Sequence, residues 1–153
     1  MTKKDFMKAE MEGRLRVIYA VQMEDPESMV ISMPLTYHYD LQVRHPNGKK
    51  EYIEVKNRKV SSTAYPDVMF NKEKVTYNEE YGDDFYFVST YTDNKALWFQ
   101  PTTIPASGVT EREEWIKTTT IDPASPKKKQ KRIYFSVNNL YKKQEIPNLI
   151  IKE

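Results

Sequence analysis

Three residues stand out for the chemistry they could do together: Asp40, Glu54 and Lys56. Glu54 and Lys56 are separated by one residue, so on an extended strand they leave the same face, roughly 6.6 Å apart. With Asp40 on the neighbouring strand, the two carboxylates can hold a hard cation such as Mg2+ or Mn2+ through oxygen, and the backbone carbonyl of Val55 can supply a third ligand. A cation held there makes its water a better nucleophile. Lys56 can then orient that water and offset charge on the phosphate. This is what a divalent-metal phosphodiesterase needs.

Whether the three residues meet depends on one turn. The alternating runs TYHYDLQVR and KKEYIEVKNR flank His45-Pro46-Asn47-Gly48 and read as a β-hairpin. A three-residue loop, with Pro46 in the first type I position and Gly48 in the left-handed position, sets His45 opposite Lys49. That register places Asp40 opposite Glu54 and His38 opposite Lys56, with Asp40, Glu54 and Lys56 on one face. A two-residue Asn-Gly turn would instead pair Pro46 with Lys49 and send Asp40 to the other face from Glu54.

Around the hairpin, Met7, Met11, Leu15 and Ile18, widened by Tyr19 and Val21, predict an amphipathic helix over residues 5–23. Asp25-Pro26 stops it, and residues 29–33 form a short apolar strand ending at Pro34. Val68, Met69, Lys72, Lys74 and Val75 are spaced as in a helix over 65–81 that Gly82 ends. Residues 84–91 and 95–100 read as a second, aromatic hairpin. The stretch 101–131 is broken by prolines, with a candidate strand over 115–121, and 132–137 is a further strand.

Asp40, followed by Ile53-Glu54-Val55-Lys56 at the end of an apolar strand, resembles the signature of the PD-(D/E)xK nuclease superfamily, the restriction-endonuclease-like fold. The order of elements over roughly residues 5–100 is also similar: a helix, three antiparallel strands, a helix and a further strand. The resemblance implies an α+β fold with a mixed α/β sheet, a restriction-endonuclease-like core αβββαβ and additional C-terminal strands. It implies that Asp40 and Glu54 are metal ligands, that Lys56 is the catalytic lysine, and that the substrate is DNA rather than RNA. Tyr39 stands where the naming proline would be. A first-helix carboxylate has no unique counterpart: Glu10, beside Arg14 at the edge of the apolar stripe, is preferred to Glu12 at the other edge.

Each feature has an ordinary alternative. Asp followed by Glu-x-Lys occurs by chance, and the trio can be cross-strand ion pairing on a solvated face. The apolar Tyr39, Leu41, Val43, Ile53 and Val55 on the other face favour the sharper reading. Glu10 can simply pair with Arg14. His38 is more simply structural than a proton shuttle, and His45 belongs to the turn. Arg58, Lys59, Lys72 and Lys74 can contact backbone phosphates or form a charged surface. Lys127, Lys128 and Lys129, in a run with five basic residues among seven, can grip phosphates or solubilise a loop. The tyrosines Tyr37, Tyr39, Tyr86 and Tyr91 can stack on bases or fill the core and rim.

Composition bounds the rest. At 153 residues the chain suits one domain, a nuclease-like core over about 5–100 and an irregular loop and strand extension over 101–153. With 24 basic and 22 acidic residues the net charge is +2, too small for a polybasic protein. Cysteine is absent, which excludes disulfides, thiolate zinc sites and cysteine nucleophiles. Two histidines make zinc improbable. Four scattered glycines cannot build a phosphate-cradling loop. The longest apolar run, 17–21, is too short for a membrane span, and a cytoplasmic location is expected. The leading expectation is a Mg2+- or Mn2+-dependent endonuclease acting on DNA, with no membrane partner and a homodimer compatible with it. Set against it are a catalytically silent nucleic-acid or protein-binding module of the same fold and a small β-rich assembly protein.

Overall fold

The computed structural model describes residues 2–117 and 127–148. Helix α1 (Lys3–Glu24) opens on a capping box: the Thr2 hydroxyl accepts the Asp5 N–H at 3.1 Å, and the Asp5 carboxylate accepts the Thr2 N–H at 3.3 Å. Strands β1 (Met29–Ser32), β2 (Leu41–Arg44) and β3 (Lys50–Asn57) follow as an antiparallel meander. Then come β4 (Asp67–Asn71), α2 (Lys72–Tyr77), β5 (Phe85–Thr90), β6 (Lys95–Phe99), β7 (Val109–Lys117), β8 (Lys127–Ser136) and β9 (Lys142–Glu145). The main sheet runs β1-β2-β3-β5-β6-β9, with β3 and β5 parallel and all other pairs antiparallel. This is the α+β, restriction-endonuclease-like arrangement expected: a helix, three antiparallel strands, a crossover containing a helix, and a parallel strand beside the third.

The hairpin register follows the three-residue loop. Leu41 pairs with Ile53, Val43 with Glu51 and Arg44 with Lys50. His45 N–H donates to the Lys49 carbonyl at 2.9 Å, and Gly48 takes φ +88° at the position that favours glycine. His45 is more than a turn residue. Its two ring nitrogens lie 2.7 Å from Asp25 and 2.5 Å from Glu51, tying the end of α1 to β3. The Asp25 carboxylate, helped by Glu51 and opposed by partial burial, raises its pKa.

Two apolar clusters fill the two faces of the main sheet. Val17, Ala20 and Val21 of α1 pack on Leu41, Val43, Ile53, Val55, Tyr86 and Val88. On the other face Phe85, Phe87, Leu97 and Phe99 meet Phe70, Ile133 and Phe135 of the second sheet, ordered β4-β8-β7. The alternation along β3 therefore sends Ile53 and Val55 toward α1, and Glu54 and Lys56 away from it.

Several expectations need correction. Residues 36–40 are not strand, and the β2–β3 ladder ends at the Leu41–Ile53 pair. His38 consequently does not face Lys56 across a ladder; its Nε2 lies 2.9 Å from the Tyr81 hydroxyl. The helix expected over 65–81 begins as strand β4, in which Val68 and Phe70 alternate inward, and only Lys72–Tyr77 is helical. Asn71 starts that helix by accepting the Glu73 N–H at 2.9 Å. The proline-broken stretch contains β7 and the beginning of β8, while residues 118–121 of the expected strand lie outside the described residues.

Helix α1 is also rotated from the expected stripe. Its buried residues are Gly13, Arg14, Arg16, Val17, Ala20 and Val21, whereas Met7, Met11, Leu15 and Tyr19 are 38–48% exposed. The reason is polar. Both arginines find partners inside, Arg16 donating to the carbonyls of Pro147 at 3.0 Å and Tyr91 at 2.8 Å. Gly13 lets the helix approach β3: a Cβ there would lie 2.9 Å from Asn57 Cβ and 3.3 Å from Val55 Cγ1. Gly13→Ala is therefore expected to lower the urea midpoint, with overpacking outweighing the gain in helix propensity by about 1–2 kcal/mol. An unchanged or raised midpoint would contradict this close approach.

Candidate active site

Asp40 is fixed at the point where the hairpin ladder stops. Its N–H donates to the Ile53 carbonyl at 2.9 Å, and its carbonyl accepts the Met33 N–H at 2.8 Å. Its side chain turns in under the strand: Oδ2 accepts the Val55 N–H at 2.8 Å, and Oδ1 accepts the Arg14 guanidinium at 2.8 Å. Because a residue's N–H and C=O leave an extended strand on the same side, the Val55 carbonyl also points beyond the end of β2.

Glu54 is the unusual group. Its side chain is 5% exposed, and Oε2 has no hydrogen-bond partner among the described residues. Oε1 lies 3.5 Å from Lys74 Nζ on α2. Burial, then the Asp40 charge, pushes its pKa up to about 8, with Lys74 and Lys56 opposing. Glu10 on α1 is raised in the same direction, first by burial and then by Asp40, with Lys56, Arg14 and Lys74 opposing. Asp40, Glu54, Glu10, Lys56 and Lys74 thus share one electrostatic neighbourhood, drawn from the segment just before β2, from β3 and from both helices.

A pH dependence follows. A carboxyl whose folded pKa lies above its ordinary value of 4.5 stabilises the fold most when both states are protonated, below that value. As pH rises from about 4.5 to 8 the unfolded chain loses a proton that the folded protein retains, so stability falls, by on the order of 3 kcal/mol at pH 7. Thermal midpoints should decline across this window in the wild type and decline less in Glu54→Gln. Parallel curves would refute the assignment.

The residues suit a hard cation by donor type. Glu54 brings an unpartnered carboxylate oxygen, Asp40 a second carboxylate, and Val55 a carbonyl, all oxygen. Among the described residues no three His, Asp or Glu side chains are grouped so as to hold a metal. A cation here would rest on two carboxylates, the carbonyl and water, which is the coordination habit of Mg2+. Glu10 stands near as a charge and does not complete a three-carboxylate cage.

The basic residues divide. Lys74 meets Glu54, and Lys72 pairs with Glu111 of β7. Arg58 turns inward, donating to the Met69 carbonyl and, at 3.3 Å, to Ser89 Oγ, with its guanidinium 5.7 Å from the Phe70 ring centre. Burial lowers its pKa. Lys59 is exposed beside Asp5, Lys8 and Glu12, and Lys127, Lys128 and Lys129 are exposed on β8. Among the tyrosines, Tyr39, Tyr86 and Tyr91 are buried. By type and spacing Arg14 is a neighbour of Glu10, and Lys74 a phosphate contact or part of a charged surface; in the fold they are the counter-charges of Asp40 and Glu54. No local pattern marks either residue, because the partners of Arg14 at Ser32 and Asp40, and of Lys74 at Glu54, lie in other segments of the chain.

No described helix is long and apolar enough to cross a membrane. No curated protein matches the chain. A solved structure with some similarity is Hjc, a Holliday junction resolvase from Archaeoglobus fulgidus, an archaeal hyperthermophile, at 15% identity and a TM-score of 0.41, covering 77% of this chain and 83% of that one. A family model described as protein NO VEIN, C-terminal, matches residues 3–102, close to the whole span from α1 to β6 that carries the site, and the chain belongs to that family.

Proposed function

We propose that this protein is a metal-dependent endonuclease that hydrolyses phosphodiester bonds in DNA at Asp40, Glu54 and Lys56. The observation that carries the reading is the buried Glu54 carboxylate, with one oxygen unpartnered beside a second carboxylate. A buried carboxylate without a partner is costly unless it is protonated or meets a cation. Asp40, Glu54 and the Val55 carbonyl would hold Mg2+ or Mn2+, which supplies Lewis acidity toward the phosphodiester. Lys56 leaves the same face of β3 as Glu54, placing its ammonium to orient water and offset charge on the phosphate. Lys74, now against Glu54, supplies a second positive charge at the phosphate side.

The test is cleavage of supercoiled plasmid and of short single-stranded and branched DNA by purified protein with Mg2+, Mn2+ or EDTA. Cleavage that requires the metal is expected. Intact DNA on all substrates with both metals would sink the reading. A second reading, a catalytically silent binding module, is favoured by one observation: Arg14 and Lys74 already face Asp40 and Glu54 as internal counter-charges. Metal-independent DNA binding without cleavage would select it.

A further inference from the structure

The second sheet ends in a projection that the hydrolytic site does not use. Strand β4 pairs with β8 only as far as Arg132, so the pairs from Glu113–Lys131 to Lys117–Lys127 form a two-stranded ribbon with no third strand among the described residues. Such a ribbon has little apolar surface to hold it and two open edges. Yet it carries Trp115, 65% exposed, directly across from Lys129, whose ammonium sits 5.5 Å from the ring centre. The described tip beyond Glu113 and Glu114 contains no carboxylate and presents Lys127, Lys128 and Lys129, all exposed.

The face on which Trp115 and Lys129 lie is set by alternation. Lys129, Lys131, Ile133 and Phe135 share a face of β8, and the last two are buried in the aromatic cluster against the main sheet. Glu111, on the same face of β7, is paired with Lys72 of α2, and Lys74, two residues along that helix, meets Glu54. One side of the molecule thus leads from Glu54 through α2 to the ribbon, with Trp115 roughly 13 Å beyond Glu111 along β7.

We infer that the β7–β8 ribbon is a binding arm for a single strand of nucleic acid, in which Trp115 stacks on a base and Lys127, Lys128 and Lys129 hold flanking phosphates. A polyanion is the partner that the tip's charge complements. An exposed indole can stack only on a base whose face is free, so unpaired nucleic acid is selected over duplex. This extends the substrate side of the proposed hydrolytic function and rests on nucleic acid being what the Asp40–Glu54–Lys56 site acts on.

The experiment measures binding in EDTA, where hydrolysis plays no part, by fluorescence anisotropy of a labelled 30-nucleotide single strand and of a duplex of equal length. The full chain is compared with Trp115→Ala and with the triple variant Lys127→Ala/Lys128→Ala/Lys129→Ala. Trp115→Ala should weaken single-strand binding about tenfold and leave duplex binding unchanged. The triple variant should lower the salt slope for single strands by about 2. Titration with unlabelled single strand should quench indole fluorescence in the wild type but not in Trp115→Ala, since the chain's other tryptophan, Trp98, is buried. Trp115→Ala binding single strands as the wild type does, or equal losses on single strand and duplex, would overturn the arm. Its failure is separable from that of the nuclease reading: intact binding without metal-dependent cleavage sinks only the latter, whereas normal cleavage with an indifferent Trp115→Ala sinks only the arm.

Discussion

Lys56→Ala is expected to cleave DNA about 100- to 1,000-fold more slowly than the wild type at saturating Mg2+, the scale of losing one positioned electrostatic group. Glu54→Gln should lose at least as much, because the amide keeps the shape but removes the charge that would hold a cation. What separates these losses from misfolding is the direction of the stability change. Lys56 is half-exposed, so its truncation should barely move the thermal midpoint. Glu54 is buried with its pKa raised to about 8, so Gln removes a group that the fold bears at a cost, and the midpoint at pH 7 should rise. Activity lost while stability is gained is the mark of a functional carboxylate. The double variant should be little slower than the worse single one, since the two groups act on one transition state. Single-variant rates within a few-fold of wild type, on a substrate that the wild type cuts, would remove these two residues from the chemistry.

How much of this could be read in advance differs by element, for physical reasons. The hairpin was legible because its turn has a narrow conformational choice: a proline followed by Asn-Gly, with glycine in the left-handed position, sets the register, and the register sets every side-chain face along β3. The central strand β5 was legible because it is buried along its whole length and is built from aromatic and β-branched residues. Strand β4 was not, since Val68, Met69, Lys72 and Val75 satisfy a helical spacing, and what decides for a strand is β8, more than sixty residues away, on which Val68 and Phe70 find their partners. Strand β9 was hidden for a related reason: KKQE is polar, and only pairing with the β6 edge makes it a strand.

The rotation of α1 is the most instructive difference. Hydrophobic periodicity treats arginine as a surface residue and so assigned the methionine and leucine row inward. In the fold Arg14 and Arg16 are buried by oxygen acceptors contributed by distant segments, and no local pattern reveals those acceptors. The same rotation brings Glu10 toward Asp40 and Glu54, so the geometry of the site and the polar burial of the helix are one event. The carboxylates and lysine could be named from types and spacing. Their counter-charges could not, because Arg14 and Lys74 arrive from two helices separated from the hairpin in sequence.

That dependence can be measured. Arg14→Met is expected to destabilise the protein by about 3–5 kcal/mol in urea denaturation, the scale of breaking a buried ion pair by removing one partner. Arg14 is 2% exposed, and its guanidinium donates to Ser32 Oγ, the Met33 carbonyl and Asp40 Oδ1. Methionine fills most of the volume but leaves the buried Asp40 carboxylate without its guanidinium, while the half-buried Met33 carbonyl and the exposed Ser32 hydroxyl also lose a donor. Arg14→Lys keeps the charge, yet a single ammonium cannot reproduce a planar fork aimed at three acceptors, and it should recover less than half of the loss. Adding Asp40→Asn to Arg14→Met should cost much less than the sum of the two single changes, since the uncompensated charge disappears. Additive losses would mean that Arg14 acts through packing and not through Asp40. A strong coupling would have a functional reading as well: Arg14 holds Asp40 in place at the end of the ladder. Arg14→Met, assayed below its unfolding temperature, should therefore lose cleavage by misplacing Asp40, and Arg14→Lys should restore part of it.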